Sequence, residues 1–389
     1  MNSGVPAIIL ILSLFVTIIP PSSYAAPPTA EFRPATPGYP YSFPRDHGAH
    51  EAYQTEWWYY TGHLQTTDGH TYGYQLTFFR SGMDPSTTAA NPSRWTLRNL
   101  YLAHFAITDE NQKRFFYAEK VNRAGIRNAG VETDTYQVWN GDWMARAVPS
   151  TTSSAPGGES GQEGEIVHHL VASEGIWAID LLLTPMKPPV IHGKDGISKK
   201  GAGPTQASHY YSVTRMGTHG TLRINDQLLE VQGTSWMDHE FGSNQLSGDQ
   251  IGWDWFGLLL DSGTELMLYQ IRRKDGGLDP FSSGTLIGHD GSSKHLTLSD
   301  FQIQSDDFWQ SRNSGGAYPS RWQILIPGND IILTLVPTVP DQELITTRST
   351  GVTYWEGSVK VTGTLNGQPT TGKGYVEMTG YAGSLKKKF

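Results

Sequence analysis

The chain has 389 residues, no cysteine, and 29 Lys and Arg against 37 Asp and Glu, for a formal net charge of −8. The lack of cysteine excludes disulfides, a lipoprotein anchor and a thiol nucleophile, so core packing must hold the fold. A modest, dispersed negative charge argues against nucleic acid as a partner, and 12 Trp, 18 Tyr and 43 Gly point to aromatic strands joined by tight turns.

In chain order, residues 1–25 carry no charged side chain, and Ile8 to Pro20 is almost unbroken apolar. Ser23-Tyr24-Ala25 then offers a small-x-small cleavage site, although no Lys or Arg precedes the apolar run. This predicts a signal peptide over 1–25 and a periplasmic or secreted mature protein. The run falls short of the ~20 residues of a spanning helix, so no stable membrane span is expected. At ~150 residues per domain the remainder makes two domains, placed here at 43–240 and 241–389.

Strand-length alternating runs follow: 57-WWYYTGHLQT-66, 72-YGYQLTFF-79, 101-YLAHFAIT-108, 177-WAIDLLLT-184, 265-ELMLYQIR-272, 322-WQILI-326 and 331-IILTLV-336. Each is rich in β-formers and bounded by turn residues, and no amphipathic helix interrupts them. Pro149 to Glu165 reads as a low-complexity loop, Lys187 to Gln206 as a long loop with its own order, and Lys386-Lys387-Lys388 as a solvated tail. The expected fold is all-β.

A weak internal repeat divides it. Trp58-x-x-x-Gly62, Asp68-Gly69 and a strand ending at Arg80 resemble Trp253-x-x-x-Gly257, Ser262-Gly263 and a strand ending at Arg272. Further on, Tyr211, Gly220-Thr221-Leu222 and Trp236-x-Asp238 parallel Tyr354, Gly363-Thr364-Leu365 and Tyr375-x-Glu377. Two similar antiparallel β-barrels in tandem, joined near 236–250, account for this order.

The chemistry concentrates in 235-SWMDHEFGS-243. In a strand, Trp236, Asp238 and Glu240 share one face, and Met237, His239 and Phe241 the other. Beside an aromatic interior Asp238 would lose solvation, keep its proton near neutral pH and serve as an acid; a turn-capping Asp, with His239 on a loop carbonyl, is the plain alternative. His209 and Tyr211, on the strand leading into this hairpin, also share a face and are expected beside Trp236 and Asp238. The site would then hold an acid, an imidazole and two rings able to stabilise a cation. In 56-EWWYYTGH-63, Glu56, Trp58 and Tyr60 face one way; core packing is the usual role of such rings. With Gln75, His104 and His239 they make up the expected substrate-binding set, Gln75 and His104 being polar residues in apolar strands that read as barrel-interior groups, a satisfied structural hydrogen bond being the plainer role for either. Arg80 is a further polar residue of this kind. No HExxH, nucleophile elbow, P-loop or dinucleotide fingerprint occurs, so neither a metal nor a cofactor is indicated.

Together, 43-FPRDHGAHEAYQTEWWYYTGHL-64, 209-HYYSVTRMGTHGTLRI-224, 235-SWMDHEFGS-243 and 253-WDWFGLLLDSGTELMLYQIR-272 resemble the AttH and carotenoid hydratase family of secreted lipocalin-like proteins, from about Phe43 to Tyr381. The resemblance implies two tandem lipocalin-like barrels. It also implies, in one branch, cofactor-free addition of water to a terminal carbon–carbon double bond of acyclic carotenoids. Other relatives hydrate prenyl groups or guide polyene cyclisation, and many bacterial members carry the label of secreted hydrolase. The hydratase branch acts through a His-x-Trp pair and a Tyr-x-Asp pair; His209 with Tyr211, and Trp236 with Asp238, stand at those positions. Acid and imidazole are kept, while both aromatic positions hold a different ring, which puts the same substrate in doubt.

Three functions follow. The first is an enzyme in which Asp238, aided by His209, protonates an isoprenoid-type alkene, Tyr211 and Trp236 shield the cation, and water adds with His209 or Glu56 as base. The second is a periplasmic carrier of a lipid or pigment, with the same rings as a lining. The third is a hydrolase, for which the sequence offers no nucleophile or metal site. Whether Tyr354, Glu356, Tyr375 and Glu377 give the second barrel a site or only a buttressing role stays open.

Overall fold

Period-two burial organises the molecule: strands such as 177-WAIDLLLTP-185 alternate buried and half-exposed residues, and each curls round the face that carries its large apolar side chains. The structure is a computed structural model that describes Met1 and residues 31–84, 93, 96–125, 127–149, 166–225, 227–244 and 247–383. Residues 2–25 of the expected signal, 150–165 of the low-complexity loop and Lys386–Lys388 lie outside these. Among the described residues the regular elements are strands and two short 3-10 turns, of which Arg45–His47 matters below.

The first sheet contains β1 (Thr55–Thr66), β2 (Thr71–Gly82), β3 (Asn99–Asp109), β4 (Arg114–Arg123), β5 (Ala129–Val131), β6 (Gln137–Asn140), β7 (Trp143–Val148), β8 (Val167–Glu174), β9 (Trp177–Pro185), β10 (Val190–Ile191), β11 (Ser198–Lys199), β12 (Ala207–Ile224) and β13 (Gln227–Asn244). The second contains β14 (Gln250–Leu260), β15 (Glu265–Arg273), β16 (Ser283–Ile287), β17 (Ser293–Thr297), β18 (Gln302–Gln310), β19 (Ala317–Ile326), β20 (Ile331–Pro337), β21 (Glu343–Thr346), β22 (Val352–Leu365) and β23 (Gln368–Thr379). β13 runs through residue 240 to Asn244, so the change of sheet falls between Asn244 and Gln250.

Both sheets are antiparallel and share one plan. In the first, the meander β4-β3-β2-β1 joins the late hairpin β13-β12, which continues into β9-β8-β7-β6-β5; in the second, β17-β16-β15-β14 joins β23-β22, which continues into β20-β19-β18. The repeat is therefore structural. Gly220 and Gly363 occupy matching bends: a Cβ on Gly220 would lie 2.1 Å from the Asp180 carbonyl oxygen, and one on Gly363 2.0 Å from that of Ile332.

Each barrel buries its own core, with Trp58, Tyr60, Tyr74, Trp143 and Met237 in the first and Phe256, Trp322, Trp355 and Met378 in the second. A third cluster belongs to neither. Tyr59, Tyr210 and Trp236 of the first barrel pack on Trp255, Tyr269 and Tyr375 of the second, forming an aromatic seam between them. Because neighbours on a strand face opposite ways, residues alternate between barrel core and seam along β1, β12, β13 and β23.

The segment Lys187–Gln206 is an ordered strap along this seam. β10 and β11 pair with β12, while the Lys187 ammonium donates to Glu265 Oε2 at 2.6 Å and to the Gly263 and Gly288 carbonyls. Arg215 reaches the other oxygen of Glu265, also at 2.6 Å, so that one buried carboxylate clasps the barrels together.

At Gly220 φ is +147° and its would-be Cβ meets rigid backbone. Gly220→Ala should therefore lower unfolding stability by roughly 1–3 kcal/mol, read as a drop in the urea midpoint; an unchanged midpoint would show that the bend relaxes freely.

Candidate active site at the seam between the barrels

The register of the β12–β13 hairpin decides which residues meet. Asp238 lies directly opposite Ser212 and, across β13–β1, opposite Tyr59. His209 lies opposite Phe241, and Tyr211 opposite His239. Directly opposed residues share a face, so the expected foursome splits: Trp236 and Asp238 face the seam, and His209 and Tyr211 face the other way. The extra residue between Val213 and Met216, a bulge, does not bring them back, since it lies beyond both pairs.

Asp238 is buried, and three donors converge on it. Ser212 Oγ and Trp236 Nε1 (2.6 Å) donate to Oδ1, and the Tyr210 hydroxyl donates to Oδ2 at 2.9 Å. The Tyr210 oxygen in turn accepts from Trp255 Nε1 at 3.0 Å, a bond that crosses the seam. Ser212 is held by His192 of the strap (Nε2 to Oγ, 2.6 Å), whose Nδ1 meets Thr285 Oγ1 of the second barrel at 2.8 Å. His192 stays neutral, its pKa pushed down to about 3 chiefly by burial, so it can donate through one nitrogen and accept through the other.

These donors favour the carboxylate, yet burial outweighs them. Loss of solvation raises the Asp238 pKa to about 7, with the charge of Glu240 adding to the rise. A carboxyl half protonated at neutral pH, with one bond to Oδ2 and aromatic rings at 5.3 Å (Tyr59 to Trp255) and 6.1 Å (Trp236 to Trp255), is placed to give up a proton in an apolar setting.

The other expected residues occupy two further places. Inside the first barrel, Glu56 accepts from Arg80 Nε at 3.0 Å and meets His50 Nδ1 at 2.7 Å and His239 Nε2 at 2.9 Å. Burial works against that charge, but Arg80 and the two histidines hold Glu56 well below the usual carboxylate range. His239 continues to the Tyr211 hydroxyl at 3.0 Å, which meets His47 Nδ1 at 2.7 Å. Trp58 donates to the His47 carbonyl at 2.9 Å, and Tyr60 bonds Tyr136 and His168. His209 sits at the rim among Tyr39, Tyr53 and Phe241, its pKa lowered to about 4 by burial and its Nδ1 without a partner.

His50, Glu56 and His239 bring three potential metal-ligand atoms within 4.8 Å of one another. Those atoms already bond one another, Arg80 holds the far oxygen of Glu56, and Asp46 takes His50 Nε2 at 3.2 Å. Burial opposes a charge on His50, yet Asp46 and Glu56 prevail and raise its pKa. The donor set fits a buried ion-pair network that fastens the Arg45–His47 turn to β1.

Gln75 and His104 lie at a third place, on the seam rather than inside a barrel. Gln75 Nε2 donates to Thr77, and His104 meets the Tyr354 hydroxyl at 2.7 Å and Ser349 at 2.8 Å. An open groove of about 520 Å³, lined by Gln65, Thr184, Thr218, His219, Gln232 and Lys373 among others, lies along β1, β9, β12, β13 and β23 and does not include Asp238.

The AttH-like family profile matches residues 34–381. The chain belongs to the AttH-like family. A structure described as an AttH protein of Nitrosomonas europaea superposes with a TM-score of 0.77 at 32% identity, covering 90% of this chain and 99% of that one. Kievitone hydratase of Nectria haematococca superposes with a TM-score of 0.66 at 15% identity, covering 90% and 98%, a likeness of fold. No curated protein sequence matches the chain. Among the described residues of this AttH-like protein, no helix is long and apolar enough to cross a membrane.

Sequence reasoning placed Asp238 and Trp236 on one face but missed Tyr210, Ser212, His192, Tyr59 and Trp255. Tyr210 and Ser212 alternate with the chosen His209 and Tyr211, so only the hairpin register could tell the two sets apart.

The raised value has a stability consequence with a definite sign. A carboxyl whose folded pKa exceeds its unfolded one favours folding fully below the unfolded value and loses that contribution as pH rises. For Asp238 the loss runs from about pH 4 to about 7, in a setting shared with Tyr59, Tyr210, Glu240, Glu356 and Glu377. Asp238→Asn should remove this dependence, gaining up to about 4 kcal/mol over wild type between those limits, measured by urea unfolding at a series of pH values. A constant difference would place a charged Asp238 in the folded protein throughout.

Proposed function

We propose that this protein is exported and hydrates an apolar, isoprenoid-type alkene by acid catalysis at the seam, with Asp238 as the proton donor. The observation that carries the reading is the Asp238 carboxyl itself: buried, without a cation partner among the described residues, raised to about 7 and surrounded by indole and phenol rings. Protonation of a terminal double bond forms a tertiary carbocation, which the π faces of Trp236, Trp255 and Tyr59 stabilise without trapping it. Water then forms the new carbon–oxygen bond. Trp236, Tyr210 and Ser212 hold the carboxyl in one orientation, so the proton leaves from a fixed position. His209 and Tyr211 take no direct part in this reading, because the sheet lies between them and Asp238. The leading run of residues 1–25 supports export, and the hydratase likeness supports the reaction class through fold.

Acyclic isoprenoid alkenes incubated with the protein in ¹⁸O-water should gain one labelled water. Asp238→Asn should lower that rate by roughly 100-fold or more with ligand affinity retained. The wild-type rate should fall as pH rises above about 7, because the acid form is the active one. An apolar compound that copurifies, stays chemically unchanged and binds Asp238→Asn equally well would make the protein a carrier and overturn the reading.

A further inference from the structure

The second barrel brings its own carboxyls to the seam. β22 and β23 set Glu356 directly opposite Glu377, on one face and with Cβ atoms about 5 Å apart. Asp238 and Glu377 each stand seven residues beyond the partner of a matching bend glycine, Val231 opposite Gly220 and Thr370 opposite Gly363. The two acids are equivalents in the repeat, and they meet where the barrels pack. Opposite Asp238 the first barrel has the hydroxyl of Ser212; at the matching place the second has another carboxyl, Glu356.

Bonding at this point is incomplete. Glu377 Oε2 accepts from Trp253 Nε1 at 3.0 Å. Glu356 Oε1 and the Tyr59 hydroxyl facing it from β1 are both buried; the two groups interact with each other, but neither atom makes a hydrogen bond of ordinary length. Two facing buried oxygens that interact beyond ordinary hydrogen-bond length leave a gap that a bridging water would close. Among the described residues no Lys or Arg pairs with either glutamate, and two carboxyls face to face in a dry seam cannot both ionise.

We propose that Glu356 and Glu377 share one proton and, with Tyr59, hold the water that adds to the substrate, so that the second barrel supplies the base opposite the acid of the first. This rests on the hydratase reading of Asp238. Asp238 gives its proton to one alkene carbon, whose π electrons form the C–H bond. The held water gives a lone pair to the cationic carbon, and its surplus proton passes to the Glu356–Glu377 pair. One water is added overall, and the pair returns its extra proton to Asp238 through solvent before the next cycle. Burial agrees with this, raising Glu377 to about 7 and Glu356 well above the carboxylate range. The groups facing the pair are Tyr59 of β1, Tyr210 of β12, Asp238 and Glu240 of β13, and Tyr354 and Tyr375 of its own hairpin, while Asp254 of β14 acts on Glu377 from the other face of the sheet. The ammonium of Lys200 is engaged by Glu240 at 3.3 Å.

Infrared pH titration of the full chain, wild type and the Glu356→Gln, Glu377→Gln and Asp238→Asn variants, tests the pair without a substrate. Either glutamate substitution should abolish the same near-neutral step and move the remaining carboxyl towards the ordinary acid range. Two independent titrations, each indifferent to loss of the other, overturn the shared proton. The chemical arm uses geraniol, farnesol and squalene in D₂O. Glu356→Gln should still wash deuterium into recovered alkene while hydration falls roughly 100-fold or more, and Asp238→Asn should lose both. Full hydration by Glu356→Gln overturns the base assignment. Full hydration by Asp238→Asn instead overturns the acid reading, and if wild type transforms none of these alkenes the infrared result alone decides the pair.

Discussion

Desolvation of carboxyl groups in the seam between the barrels is the constraint on which the rest of this structure depends. An acid removed from water must find a cation, find enough donors or stay protonated. The first solution occurs twice nearby. Glu56 takes Arg80 and stays ionised inside the first barrel, and Glu265 takes Lys187 and Arg215 across the seam. Among the described residues Asp238 has donors but no cation partner, and Glu377 has a single indole N–H; both are raised to about 7. The difference between the salt-bridged acids and the raised ones is thus a difference in partners, since all of them are buried.

Duplication explains how such groups come to face one another. Each barrel presents the same face of its late hairpin, and packing these faces together brings Asp238 and Glu377 to a common place along with Trp236 and Tyr375. The copies have diverged at one telling position: Ser212 completes the bonding of Asp238, whereas Glu356 leaves an oxygen without a hydrogen bond of ordinary length. The strap from Lys187 to Gln206 adds a third layer, as His192 joins Ser212 to Thr285 and so ties the orientation of the acid to the docking of the barrels.

The fold was legible because β-strands announce themselves locally. Alternation, Gly-bounded runs and the paired Gly220 and Gly363 bends all survive in the sequence. Asp238 was legible for the same reason, lying two residues from Trp236 on one strand. Its partners were not. Choosing between His209-x-Tyr211 and Tyr210-x-Ser212 requires the register of a long hairpin, and a shift of one residue exchanges the faces. Gln75 and His104 were misplaced through a related blindness: alternation separates two faces but cannot say that the polar one packs on a second barrel. The contribution of Trp255 and Glu356 is tertiary throughout, since only barrel docking brings them near Asp238.

The central claim is that Asp238 stays protonated near neutrality within the seam. The most direct measurement is a pH titration of its side-chain carboxyl carbon by NMR in ¹³C-aspartate-labelled protein, with Asp238→Asn identifying the resonance. The account predicts a midpoint near 7; a midpoint at or below the ordinary aspartate value of about 4 would contradict it.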